Sequence, residues 1–209
     1  MAGTKCESLT LVVGGEALLV ERAVDSVVQR ARKVDPQTER RDLDATEQGI
    51  VGRIDEACSP TLFGGGAVVV IDNVESADES VVAAIVAAAA QASDEVAIVA
   101  LHAGGARGKK LLDKLSQAAG NRVDCVEIKK GRGISDFVSA EVKAAKRSMS
   151  PQAQSILIAA VGSDVRALAS AVSQLANDIE SREIEADGVR RSFGGPAAAT
   201  RFQPAAAAT

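Results

Sequence analysis

Leu9-Thr10-Leu11-Val12-Val13, stopped by Gly14-Gly15, is the stretch that decides the fold. A nearly continuous apolar run of this length reads as a strand buried on both faces. Beyond the glycines, Val20, Ala23, Val24, Val27, Val28 and Ala31 recur at helical spacing, with Glu21, Arg22, Asp25, Gln29 and Arg32 on the opposite side. Asp35-Pro36 ends that helix. Working outward, the motif repeats. Ala67–Asp72, Glu95–Leu101 and Arg122–Ile128 read as further strands, and Ala45–Ala57, Asp78–Gln91 and Lys109–Ala118 as helices. Arg40–Asp44 is short and polar, which suits an edge strand at best. Strands alternating with helices predict an α/β fold, a parallel sheet with helices on both faces.

The pattern changes after Lys130-Gly131-Arg132-Gly133. No further strand is expected. Ser135 is placed to cap a helix reaching Arg147, Ser150-Pro151 to start a second, and Ser163 to cap a third carrying Leu168, Ala171, Val172, Leu175 and Ile179 on one stripe. Ile184–Arg191 reads as a short fourth helix. The expected organisation is an α/β domain over 1–131, a small helical domain over 132–193, and a linker-like segment over 194–209.

Composition removes several function classes. The 209 residues carry 24 Lys plus Arg against 28 Asp plus Glu, a net charge of −4, which argues against a generally cationic nucleic-acid or membrane binder. No run is long and apolar enough for a membrane span, and the first residues do not read as a signal peptide. Cys6, Cys58 and Cys125 are far apart and odd in number, and His102 is the sole histidine, so no metal site is expected. Reduced thiols fit a cytoplasmic protein. Charge is nonetheless uneven. Between Ala103 and Arg147 there are 11 basic and 5 acidic residues. A local basic surface of this kind suits phosphate or an acidic partner, and the plainer reading is a solvated face on amphipathic helices.

Catalytic chemistry finds no support. The first strand-to-helix turn is where a nucleotide-binding α/β protein holds phosphate. Here it reads Val13-Gly14-Gly15-Glu16-Ala17, without the lysine and hydroxyl of a P-loop and with an acid that repels phosphate. Asp72 stands where a magnesium-holding acid would sit, but a strand-end role suits it better without a phosphate cradle. His102 has no nucleophile partner visible in sequence. The expectation is no catalytic residue, no cofactor and no metal. The odd feature is Leu62-Phe63, between Pro60 and Gly64-Gly65-Gly66 and outside any periodic apolar face. Such a pair reads either as a wedge for a partner's pocket or as a turn folded back on its own sheet.

Four ordered blocks resemble the delta-subunit family of bacterial DNA polymerase III clamp loaders. They are Leu11-Val-Val-Gly-Gly-Glu-Ala-Leu-Leu-Val-Glu-Arg-Ala23, Ser59-Pro-Thr-Leu-Phe-Gly-Gly-Gly-Ala-Val-Val-Val-Ile-Asp-Asn73, Leu101-His-Ala-Gly-Gly-Ala-Arg-Gly-Lys-Lys-Leu-Leu-Asp-Lys-Leu115, and Gly162-Ser-Asp-Val-Arg-Ala-Leu-Ala-Ser-Ala-Val-Ser-Gln-Leu175. The alanine- and valine-rich style suggests an actinobacterial source. The resemblance implies an AAA+-like sheet domain followed by a helical lid, and a subunit that has lost ATP binding. It implies a role in DNA replication, within the DNA polymerase III holoenzyme. The implied partners are the beta sliding clamp, the gamma/tau and delta-prime loader subunits, and primer–template DNA, with no membrane. The implied clamp-contacting residues are Leu62 and Phe63, and Arg107, Lys109 and Lys110 are the candidates for a basic surface facing that DNA. Family members continue into a helical collar, and this sequence stops where one would begin, so weak assembly with the ATPase subunits is expected. The alternatives are a degenerate P-loop nucleotide-binding protein and a delta-prime-like subunit. The latter's Ser-Arg-Cys motif is absent, Ser181-Arg182-Glu183 being the nearest triplet. A Rossmann-type small-molecule enzyme fits least well.

Overall fold

The computed structural model describes residues 8–59 and 65–193. Two compact units divide between Glu127 and Ile128. The first holds β1 (Leu9–Val13), α1 (Ala17–Val34), β2 (Glu39–Asp44), α2 (Ile50–Cys58), β3 (Ala67–Asp72), a 3₁₀ turn (Val74–Ser76), α3 (Glu79–Gln91), β4 (Val96–His102), α4 (Lys109–Ala118) and β5 (Asn121–Asp124). The five strands are all parallel, in the order β2-β3-β4-β1-β5.

Strand alternation builds two cores. Val12, Val68, Val70, Ala97 and Val99 face α1, which covers them with Val24, Val27 and Val28. Leu9, Leu11, Val69, Ile71, Ile98 and Ala100 face the other way, onto Ile54 of α2, Ile85 of α3 and Leu115 of α4. Burying each such Val, Leu or Ile side chain is worth roughly 1.5–3 kcal/mol, and this drive fixes the register, because a one-residue slip would invert both faces. Both edge strands carry an arginine–aspartate pair two residues apart. Arg40 donates to Asp42 on β2 and Arg122 to Asp124 on β5, at 2.7 and 2.9 Å.

Several boundaries differ from expectation for local reasons. The helix expected from Ala45 begins at Ile50. Asp44 accepts bonds from the backbone N–H and hydroxyl of Thr46, which holds the chain in a turn, and Gly49, at φ 77°, precedes the helix. The fifth strand ends at Asp124 rather than Ile128, because the Cys125 carbonyl turns to accept the Glu16 N–H.

The second unit contains α5 (Arg132–Ala144), β6 (Ser148–Met149), α6 (Pro151–Val161), α7 (Val165–Asp178), β7 (Glu183–Ile184) and α8 (Ala186–Phe193). Its buried side chains include Phe137, Val138, Leu157, Leu168, Leu175, Val189 and Phe193. Ser150 caps α6 as expected, accepting from Ala153 N at 3.2 Å, with Pro151 at the first helical position. Ser135 does not cap α5, which starts three residues earlier after Gly131 at φ 78°. Nor does Ser163 cap α7. Asp164 does, accepting from Ala167 N at 2.7 Å. Contrary to the expectation of no strands, β6 and β7 form a two-residue parallel ladder. Arg147 stands beside it and donates to the carbonyls of Ala176, Glu180 and Ser181 at 2.6, 3.0 and 2.8 Å.

Candidate functional site

In an open parallel sheet, ligands bind beyond the carboxyl ends of the strands, where neighbouring crossovers diverge. Here that place is the end of β1, flanked by β4 and β5. The turn there is closed on itself. Gly14 N donates to the His102 carbonyl at 2.9 Å, and Glu16 N to the Cys125 carbonyl at 3.0 Å. Gly14 sits at φ +135°, and a Cβ on it would fall inside the Cys125 carbonyl. From the other side, Gly104 approaches Gly14 closely enough that a Cβ on Gly104 would lie 3.8 Å from the Gly14 Cα. Two N–H groups of the kind that cradle phosphate are thus bonded to protein carbonyls.

His102, the last residue of β4, is 1% exposed. Its Nδ1 accepts the Gly104 N–H at 2.9 Å. The proton is thereby assigned to Nε2, which stands 3.4 Å from the Gly108 carbonyl. Its partners are therefore backbone groups of the following loop. Glu75 completes the arrangement, accepting the Ala103 N–H at 3.1 Å. Asp72 ends β3 exposed, with one oxygen accepting the Asn73 N–H at 2.7 Å. Asn73 in turn donates to Asp44, whose carboxyl is held below its ordinary value by its bonds from Thr46 and then Asn73. Among the described residues, no group of three or more His, Cys, Asp or Glu side chains could hold a metal ion.

Arg107, Lys109 and Lys110 fall together at the start of α4. All three are exposed, and no ion pair joins them to a described carboxylate. Lys114, one turn on, is engaged by Glu79 at 3.1 Å. Leu62 and Phe63 lie outside the described residues, as does the segment 194–209. The flanks of the Leu-Phe stretch are described. Ser59 follows α2 and donates its hydroxyl to the Asp55 carbonyl at 2.8 Å. Gly66 precedes β3 and donates its N–H to Asp35 Oδ2 at 2.8 Å, while its carbonyl accepts the Glu39 N–H at 2.9 Å. The N–H groups of Gln37 and Gly66 hold the Asp35 carboxyl below its ordinary value. Gly66 thus stands at the amino end of β3, whereas the β1 turn follows the carboxyl end of its parallel strand. Sequence reading missed Asp35, Glu75 and the ring contacts of His102. The glycines spaced around His102 at a strand end were the available signal.

The chain has an α/β, AAA+-like fold, a five-stranded parallel sheet flanked by helices and followed by a helical unit. Among solved structures it is similar to the Bacillus subtilis DNA clamp loader delta protein, with a TM-score of 0.69 at 19% identity over 88% of this chain. Weaker likenesses are the Thermotoga maritima RuvB Holliday junction branch migration motor, with a TM-score of 0.49 at 13% identity over 90% of this chain, and Caenorhabditis elegans PCH-2, at 0.48 and 14% over 94%. The chain spans 57% of the length of the delta protein, 61% of RuvB and 62% of PCH-2. No protein-family model matches the sequence, and no curated protein does. Among the described residues, no helix is long and apolar enough to cross a membrane.

Proposed function

We propose that this chain is a delta-type clamp-loader subunit that grips the ring-shaped beta sliding clamp and holds one of its interfaces open, using no nucleotide of its own. The observation that carries the reading is the self-closed β1 turn, set in a fold similar to that of a clamp loader delta protein. A subunit without ATP can open a ring only by binding the open form more tightly than the closed one. Leu62 and Phe63 are the proposed contacts. Burying each in an apolar pocket yields roughly 1.5–3 kcal/mol before ordering costs. A few kcal/mol of differential binding traps an open ring that is rare by itself. The gamma/tau and delta-prime subunits are the proposed loader partners, and primer–template DNA the proposed charge partner of Arg107, Lys109 and Lys110. This role belongs in the cytoplasm.

The test is a pull-down of sliding clamp by this chain, beside a Leu62→Ala/Phe63→Ala double variant. Clamp capture by the wild type and at least a tenfold loss in the variant is the expected result. Equal capture by both would refute the contact, and no capture by either would refute the role.

A further inference from the structure

We propose that His102 is a positioning residue, which fixes the β4–α4 loop so that Arg107, Lys109 and Lys110 meet a nucleic-acid backbone in a preset arrangement. The inference rests on the reading of those three cations as DNA-facing. The loop runs from Ala103 to Gly108 and is pinned near both ends to a single imidazole. Nδ1 accepts the Gly104 N–H at 2.9 Å, and Nε2 faces the Gly108 carbonyl at 3.4 Å. Glu75 takes the Ala103 N–H at 3.1 Å. Gly108, at φ +65°, backs onto Glu75 so tightly that a Cβ there would lie 2.7 Å from the Glu75 Cα and 3.0 Å from the imidazole Nε2. Gly104 and Gly105, at φ +83° and +75°, allow the path between these pins.

Arg107 sits immediately before the second pin, and Lys109 and Lys110 open the helix that follows. Long basic side chains lose freedom on binding, and a loop already fixed removes the backbone share of that loss. A buried imidazole with both ring nitrogens turned to one loop is the feature that sets where the three charges start from.

The experiment titrates a primed DNA duplex with the full chain at several salt concentrations. For duplex DNA the logarithmic salt slope falls by about 0.9 for each phosphate that the protein ceases to neutralise. Replacing Arg107, Lys109 and Lys110 together by Ala is expected to lower it by about two to three. His102→Leu keeps every cation and is expected to lower it by about one or more. His102→Asn, which retains an acceptor for the Gly104 N–H but not the reach to the Gly108 carbonyl, is expected to fall between wild type and His102→Leu. A slope unchanged in His102→Leu overturns the role of His102. Should His102→Leu fail to fold, wild-type nitrogen shifts decide. An unprotonated Nδ1 with slow exchange at the Gly104 amide supports the pinning, and a protonated Nδ1 overturns it. Absence of salt-dependent binding by the wild type overturns the DNA reading itself. Slow Gly104 exchange in that same sample tells the two failures apart.

Discussion

Gly14 lies directly against the carbonyl of Cys125, with no room for a Cβ between them. The contact joins the end of β1 to the end of β5, and the Glu16 N–H secures it by donating to the same carbonyl. Gly14→Ala must move one strand end and accept a left-handed backbone as well. Strain and overpacking each amount to roughly 1–3 kcal/mol, so a loss of about 2–6 kcal/mol is expected in urea unfolding of the sheet unit. Unfolding at the wild-type midpoint would show that the turn has slack.

The same closure bears on nucleotide binding. With Gly14 and Glu16 N–H groups already bonded, ATP with magnesium is expected to leave the melting temperature unchanged at millimolar concentration. A rise of several degrees would mean that the turn opens for phosphate.

Asp35 supplies a pH dependence. Its carboxyl is stabilised in the ionised form by the Gln37 and Gly66 N–H groups, so its folded value lies below the ordinary 3.8. A depressed acid contributes stability that is present above its unfolded value and is lost as pH falls through the folded one. Asp35→Asn is therefore expected to reduce stability at pH 7 and to flatten its decline below about pH 4. Parallel acid-unfolding curves for the two proteins would contradict the assignment.

Arg147 is the corresponding fastener in the helical unit, one guanidinium meeting three carbonyls around the end of α7. Bonds to a charged group contribute about 1.5–3 kcal/mol. Arg147→Ala is expected to lose about 2–3 kcal/mol, and Arg147→Lys to recover little, since an ammonium lacks the planar fork. Full recovery by lysine in thermal unfolding would reduce the residue to a simple charge.

Much of the sheet unit was legible because buried parallel strands announce themselves. Leu9–Val13, Ala67–Asp72 and Val96–His102 are continuous apolar runs ended by glycine or polar residues, and no helix of that composition would be so short. Boundaries set by side-chain bonds to the backbone were less legible. Asp44 withholds Ala45–Gln48 from α2, and Asp164 displaces Ser163 as a cap, yet neither acid differs in sequence from any other. The β6–β7 ladder gave no signal, since two-residue strands have no periodicity to read. At the site, the missing lysine and hydroxyl were visible in the β1 turn. The link from His102 to Gly104 and Gly108 needed three-dimensional neighbours before it could be seen.

The paired charges on the rims of the sheet have a further consequence. A foreign strand adding itself beside β2 or β5 would have to approach Arg40 and Asp42, or Arg122 and Asp124, and displace the water around them. Growth into a continuous ribbon by strand addition is thereby discouraged at both margins.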